Sequence, residues 1–482
     1  MNRQINRVTA VLVFLLIALM VNVSLIQVFQ SKNLRNQPGN QRMLLAEYSR
    51  ERGAILVESQ AIAASEETSD NLAYLRTYAE GDVYAPITGF YSLVYGASGL
   101  EAKENDVLAG NDSRFFVDRL QQLIAGRKPK GGAIRLTINS AAQEAAFKAL
   151  NGRTGAVVAI NPSTGEILAL ASSPSFDPNT LSSHDPATIQ KTYEVLDQDP
   201  EKPMLNRPLA MTLPPGSTFK LVTAAAALES GQYNAESLLP GPQEMQLPQS
   251  DRKLGNWTGS SCGANDQVTL KEALAISCNT AFAWLGLQVG ASAIDEQAKK
   301  FGFEQSLEVP MVAAASHFPA GIDEPQTAMS AIGQFDVRAT ALQMAMVSAA
   351  IANDGVVMKP YLVSQVLGPD LTVLENTTPT PLSRAMSSGN AAILKDMMVN
   401  VVAQGTGSKA RIAGIAVGGK TGTAENTPGE SAHAWFVGFA PAEKSSIAVA
   451  VVLEHGGGAT EVSGNALAAP IAAAVMRAAL GR

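Results

Sequence analysis

Pro214-Pro215-Gly216-Ser217-Thr218-Phe219-Lys220 runs directly into the apolar stretch Leu221-Val-Thr-Ala-Ala-Ala-Ala-Leu228. The prolines and glycine mark a break, and the residues after them predict a buried helix. Ser217 and Lys220 stand at i and i+3, so they share one helical face. A serine at a helix start lies among backbone N–H groups without an intrahelical partner, and these suit a developing oxyanion. A lysine one turn on can accept the hydroxyl proton if burial and a second cation keep it neutral. The pair is a candidate nucleophile and base that needs no histidine. Ser-x-x-Lys is nevertheless a short pattern, and alone Ser217 is better explained as an N-cap. Ser250-Asp-Arg-Lys253 also matches it, in a polar loop with no helix start, and is set aside.

Chain order strengthens the case. Lys420-Thr421-Gly422-Thr423 occurs once, on a predicted strand after Gly418-Gly419. Ser277-Cys278-Asn279 falls between the two motifs, where one predicted helix ends and the next begins. Ser-x-Asn also occurs at Ser31, Ser69, Ser388 and Ser463, but only Ser277 lies between the nucleophile and Lys-Thr-Gly at a helix junction. For Lys420 the plain alternative is a solvated strand lysine; glycines at 418, 419 and 422 favour close approach of a substrate instead.

The rest of the chain sets the context. Its 482 residues are 46% apolar and 16% charged, enough for a large core and more than one domain. The net charge of −7 does not favour nucleic acid as a partner. Two cysteines are too few for a four-thiolate zinc site, and His184, His317, His433 and His455 are scattered singly. No metal, cofactor or histidine triad is expected. Val8 to Phe29 is an uncharged apolar run behind Arg3 and Arg7. As a helix it is roughly 33 Å long, and the positive-inside rule keeps its N-terminus in the cytoplasm. An uncleaved anchor is favoured over a signal peptide, since Gln27-Val-Phe-Gln-Ser-Lys is a poor cleavage site. Residues 31–50 read as a polar stalk. Residues 51 to about 145 mix short strand-like runs (Ala54–Val57, Ile134–Ile138) with helical stretches. Two predicted hairpins, Gly155–Ile160 with Glu166–Ser172 and Ala434–Ala440 with Ser446–Leu453, bracket helices near 218–229, 269–277 and 339–352, and an alanine-rich helix closes at 465–480. A sheet assembled from both ends, with a helical insertion, is the expected architecture.

Ser-x-x-Lys, Ser-x-Asn and Lys-Thr-Gly in this order resemble the pattern of penicillin-binding proteins and serine β-lactamases. Over nearly its whole length the chain resembles a class B penicillin-binding protein, a D,D-transpeptidase of the bacterial cell wall. Arg52-Gly53-Ala54-Ile55, Arg76-Thr-Tyr78, Gly89-Phe-Tyr-Ser92 and Gly99-Leu-Glu101 resemble motifs of its N-terminal pedestal. Asn206-Arg207, Gly333-Gln334, Thr340–Gln343, Asn353-Asp-Gly355 and Trp435–Pro441 resemble signatures of its transpeptidase domain. Size and the two-cysteine arrangement are most similar to the actinobacterial penicillin-binding protein A type. Two departures stand out: Val57-Glu58-Ser59-Gln60 replaces an Asp-Arg-Asn-Gly, and Gly333-Gln334-Phe335 replaces a Gly-Gln-Gly.

The resemblance implies an α+β fold: a cytoplasmic tip and transmembrane anchor (1–30), a non-catalytic pedestal (31–150), and a transpeptidase domain (151–482). That last domain would hold a five-stranded antiparallel sheet flanked by helices, plus an all-helical subdomain. It further implies that Ser217 attacks the penultimate D-Ala carbonyl of a stem peptide ending in D-Ala-D-Ala. Lys220 would be the base, Ser277 a proton relay, and Asn279 the holder of Lys220 and a substrate amide. Lys420 would keep the site positive. Thr421 and Thr423, around Gly422, would take the terminal carboxylate. Backbone N–H groups of Ser217 and Thr423 would form the oxyanion hole. β-Lactams would acylate Ser217, and a membrane glycosyltransferase of the RodA/FtsW type would be the partner. The catalytic part would lie outside the cell on a single-pass anchor. A D,D-carboxypeptidase or serine β-lactamase on the same fold is the enzymatic alternative, and a β-lactam sensor or divisome scaffold the non-enzymatic one. An exported domain also permits a disulfide between Cys262 and Cys278; closing that loop would stabilise by about 3 kcal/mol and pin the Ser277–Asn279 segment. Two buried thiols are the alternative. His433 either lines the cleft or sits on the surface at a strand end.

Overall fold

A computed structural model of the protein describes residues 2–27, 48–115, 130–425, 429–459 and 462–482. Asn2–Leu25 form one helix of 24 residues. At 1.5 Å per residue it is roughly 36 Å long, enough to cross a bilayer, and the rest of the protein covers none of it. The end of the apolar run and nearly all of the expected stalk lie outside the described residues.

Five strands form an antiparallel sheet in the order Gly418–Ala424, His433–Ala440, Ile447–Leu453, Gly155–Ile160, Ile167–Ser173. The three inner strands are buried at every position. Their unbroken apolar runs follow from helices on both faces, which leave no solvent side to alternate toward. Gly464–Ala479 and Ser140–Leu150 cover one face. Ala341–Ala352, buried at all 12 positions, covers the other. The inserted helical part, including Lys220–Glu229, Leu270–Ala275, Asn279–Val289 and Ser388–Ala403, packs around the latter side.

A second sheet of six strands runs Val373–Asn376, Val363–Leu367, Ala133–Leu136, Ile55–Val57, Gln60–Glu67, Tyr74–Tyr78. Two of its strands come from residues 363–376, and the helix Ser140–Leu150 belongs to the other sheet. In space, therefore, the two parts exchange elements across residue 150. The cause is sheet completion: Ala133–Leu136 has an open edge that Val363–Leu367 fills.

Three N-terminal motifs far apart in sequence meet at one buried carboxylate. Glu101 accepts from Arg52 Nε and Arg76 Nε, both at 2.6 Å, and from Tyr78 OH at 3.2 Å. Arg52 also donates to Asn105 Oδ1 and lies 4.2 Å above the Tyr91 ring. Burial would raise the Glu101 pKa, but the two guanidiniums outweigh it and hold the carboxyl below its ordinary value. Glu101→Gln leaves two buried cations without their counter-charge. It is expected to cost about 3–5 kcal/mol in chemical denaturation near pH 7. Because the folded pKa is depressed, the Glu101 contribution is present above the ordinary carboxylate range and is lost as pH falls through the folded value. A loss under 1 kcal/mol at neutral pH would contradict this account.

Candidate active site

Gly216–Phe219 form a single 3-10 turn leading into the helix Lys220–Glu229. In a 3-10 turn residues i and i+3 eclipse, so Ser217 and Lys220 project to one side. Ser217 is half-buried. The side chains at both N-cap positions, Pro215 and Phe219, make no capping bond, so the N-cap explanation of Ser217 fails. Close approach surrounds this turn. Gly216 N donates to Gly333 O at 3.0 Å, and a Cβ at Gly333, where φ is 75°, would lie 2.1 Å from Gly216 O. A Cβ at Gly422 would lie 2.9 Å from Pro215 O. Glycine at 333 and 422 lets a turn and the edge strand of the sheet press against the nucleophile loop.

Three motifs converge on two amines. Lys220 Nζ donates to Ser277 O and Asn279 Oδ1, both at 2.8 Å, and lies 3.3 Å from Ser277 Oγ. Lys420 Nζ donates to Ser277 Oγ at 2.9 Å and to Thr421 O at 2.8 Å. Both lysines are fully buried, and neither meets a carboxylate within 4 Å among the described residues. Desolvation therefore acts unopposed. It lowers Lys420 to about 7, and desolvation together with the field of Lys420 drives Lys220 well below its ordinary value. A neutral Lys220 uses its two hydrogens on Ser277 O and Asn279 Oδ1, which frees its lone pair. Ser277 Oγ, accepting from Lys420, turns its own hydrogen toward that lone pair. The line Lys420–Ser277–Lys220 can thus pass a proton. Ser277 occupies the left-handed region at φ 62°, a local strain that aims its carbonyl and its hydroxyl at the same amine.

Among the described residues, no hydrogen bond reaches Ser217 Oγ. Thr421 is nearly buried and shares a 2.8 Å hydrogen bond with Thr406 Oγ1. Thr423, half-buried, accepts from Gly464 N at 3.4 Å. Lys253, from the discarded second pattern, is exposed and pairs with Glu244. His433 is buried, with Nδ1 accepting from His455 N. Desolvation and the neighbouring His455 and Arg338 lower it to about 4. Of the two readings of His433, the surface one fails: strand His433–Ala440 is internal in the sheet and the residue is buried. Cys262 and Cys278 are bonded, with Cα atoms 6.0 Å apart and a separation of 16 residues, which fixes the loop before Ser277.

Two neighbours carry no sequence motif that announced them. Thr406 is flanked by Gly405 and Gly407, a turn signal that could have drawn notice. Asn256, whose Oδ1 accepts from Asn279 N at 3.0 Å, follows Gly255 and carries a comparable turn signal.

Comparison with known proteins identifies the family. Residues 155–477 match the penicillin binding protein transpeptidase domain, and residues 52–134 the penicillin binding protein A dimerisation domain. The peptidoglycan D,D-transpeptidase PbpA of Mycolicibacterium smegmatis is 45% identical, over 100% of this chain and 99% of its own. The protein of the same name from Mycobacterium tuberculosis is 42% identical over the same shares. The ceftriaxone acyl-enzyme complex of M. tuberculosis penicillin-binding protein A superposes with a TM-score of 0.88 at 42% identity, covering 90% of this chain and all of that one. On the strength of its fold, its converging motifs and these matches, the chain belongs to the penicillin-binding protein transpeptidase family.

Proposed function

We propose that the protein is a peptidoglycan D,D-transpeptidase that works through an acyl-serine and is acylated by β-lactams. The observation that carries this reading is the pair of buried lysines meeting at Ser277 beside the Ser217 turn. The Lys220 Nζ lone pair turns from the Ser277 hydroxyl to that of Ser217 and takes its proton as Oγ bonds to the penultimate D-Ala carbonyl carbon. Backbone N–H groups of Ser217 and Thr423 receive the oxyanion. The C–N bond then breaks; Ser277 hands a proton to the departing D-Ala amine, and Lys220 replenishes it. An amine from a second stem peptide attacks the ester in the reverse sense, restoring Ser217 and leaving a cross-link. Asn279 holds Lys220 through Oδ1 and offers Nδ2 to a substrate amide. Lys420, Thr421 and Thr423, around Gly422, receive the terminal carboxylate, with Thr421 turning from Thr406.

The helix Asn2–Leu25 anchors the chain in the cell membrane with the catalytic part outside, and residues 31–150 serve as a pedestal for the transpeptidase domain (151–482). A RodA/FtsW-type glycosyltransferase is the proposed partner on anchor and pedestal. The test supplies full-length protein in detergent with a stem pentapeptide and an excess of an acceptor amine. Aminolysed product with stoichiometric D-Ala is expected. Hydrolysed tetrapeptide alone would mean a carboxypeptidase, and rapid repeated turnover of nitrocefin a β-lactamase.

A further inference from the structure

Asn279 can hold Lys220 only if its amide presents oxygen, not nitrogen, to Nζ. What enforces that choice lies outside all three motifs. Asn279 Nδ2 donates to Gly255 O at 3.1 Å, so a flipped amide would set oxygen against oxygen there and N–H against the amine here. Gly255 ends the strand Lys253–Gly255, which pairs with Glu244–Gln246. The next residue, Asn256, grips the backbone of the same segment. Its Oδ1 accepts from Asn279 N at 3.0 Å, Thr280 N at 3.1 Å and Thr280 Oγ1 at 3.2 Å. Its Nδ2 donates to Pro242 O at 2.9 Å and Ser260 O at 3.0 Å. Both ends of the side chain are fully used.

The start of helix Asn279–Val289 explains the need. The N-cap position is Cys278, whose sulfur is bonded to Cys262 and accepts only weakly, from Ala281 N at 3.4 Å. An N-cap side chain serves only one N–H of the first turn. Cys278 Sγ reaches that of Ala281, and those of Asn279 and Thr280 take Asn256 Oδ1 as their acceptor.

We infer that Asn256 is a positioning residue for the proposed reaction: acting with Gly255 O, it caps helix Asn279–Val289 from outside and fixes the Asn279 amide toward Lys220. This rests on the proposed role of Asn279. Asn256 touches neither substrate nor the reacting atoms; its effect passes through Asn279.

The test is a double-mutant cycle on the full-length protein, reading the second-order rate of acylation by penicillin G. Asn256→Ala is expected to lower it about tenfold or more, while Asn279→Ala lowers it at least as far. In the Asn279→Ala background, Asn256→Ala should cost no more than about twofold further, because the residue it acts through is gone. Losses that multiply across the double mutant, or an Asn256→Ala rate within threefold of wild type, would overturn the inference. An Asn279→Ala rate equal to wild type would instead sink the role of Asn279 on which it rests. Should Asn256→Ala fail to fold, Asn256→Asp decides. Its carboxylate keeps the acceptor but sets oxygen against Pro242 O and Ser260 O, so the grip loosens and the rate should fall about tenfold or more, with no more than about twofold further loss in the Asn279→Ala background; a rate within threefold of wild type, or losses that multiply, would overturn the inference.

Discussion

Ser217→Ala is expected to abolish covalent labelling by a fluorescent penicillin and to leave the intact-protein mass unchanged after incubation with penicillin G. The wild-type mass should rise by one β-lactam. Removing the nucleophile of a serine acyl-transfer site costs about 10⁶-fold in rate, so no label should form on the time scale of the wild-type reaction. The fold should not suffer. Ser217 Oγ has no hydrogen-bond partner among the described residues, the residue is only half-buried, and neither neighbouring N-cap uses it. Stability should stay within about 0.5 kcal/mol of wild type. Reversible binding should persist, because Lys420, Thr421 and Thr423 are untouched. The same experiment on Ser277→Ala discriminates nucleophile from relay: labelling should continue there, slowed. A labelled Ser217→Ala protein would place the acylated residue elsewhere and dismantle the mechanism.

The second large effect concerns the paired amines. Lys220→Met keeps the buried volume and removes the base, and acylation should fall about 10²–10⁴-fold. Wild-type acylation should be bell-shaped in pH. Two buried ammonium groups joined through Ser277 cannot both be charged without strong repulsion, so the pair titrates through a form that holds one added proton. The active form has Lys220 free and Lys420 charged. Taking up a second proton on the acid side protonates the base. Losing the last on the alkaline side removes the charge that receives the carboxylate. Lys420, lowered to about 7 by desolvation, places that transition within reach of neutral pH. Lys420→Met removes a cation whose field lowers Lys220. The Lys220 pKa should therefore rise, and the acid limb should move to higher pH. A flat wild-type profile between pH 5 and pH 9, or an acid limb unmoved in Lys420→Met, would refute the shared-proton account.

Much of this was open to reading along the chain. Gly155–Ile160 and Ile447–Leu453 are unbroken apolar runs because both faces of their sheet are covered. The burial pattern is local, so the strands could be recognised one at a time. Ser217 and Lys220 are neighbours on one turn, and their juxtaposition needs no tertiary information. The chain order of Ser217, Ser277 and Lys420 reduced many Ser-x-Asn matches to one. Other features had no local signature. Arg52, Arg76 and Glu101 stand in three separate motifs, none of which shows that they meet, with no exposed surface on Glu101. His433 sits near a strand end in sequence but internal in the sheet, because strand order is a property of pairing and not of position along the chain. Thr406 meets Thr421 across 15 residues, and Asn256 meets Asn279 across 23.

By itself, then, the sequence determined the elements and the chemical inventory: an apolar anchor helix, two hairpins bracketing a helical insertion, a hydroxyl and amine on one turn, and the residues able to join them. The elements follow from periodicity, which acts over a few residues, and the joining residues from the resemblance of the three motifs to a known family. Only the tertiary structure decided which groups lose their water together. Two lysines 200 residues apart in the chain are ordinary cations until packing buries them on either side of Ser277 without a carboxylate. Their depressed proton affinity, and the orientation that Asn256 and Gly255 impose on Asn279, come from desolvation and long-range hydrogen bonding that no stretch of sequence encodes alone.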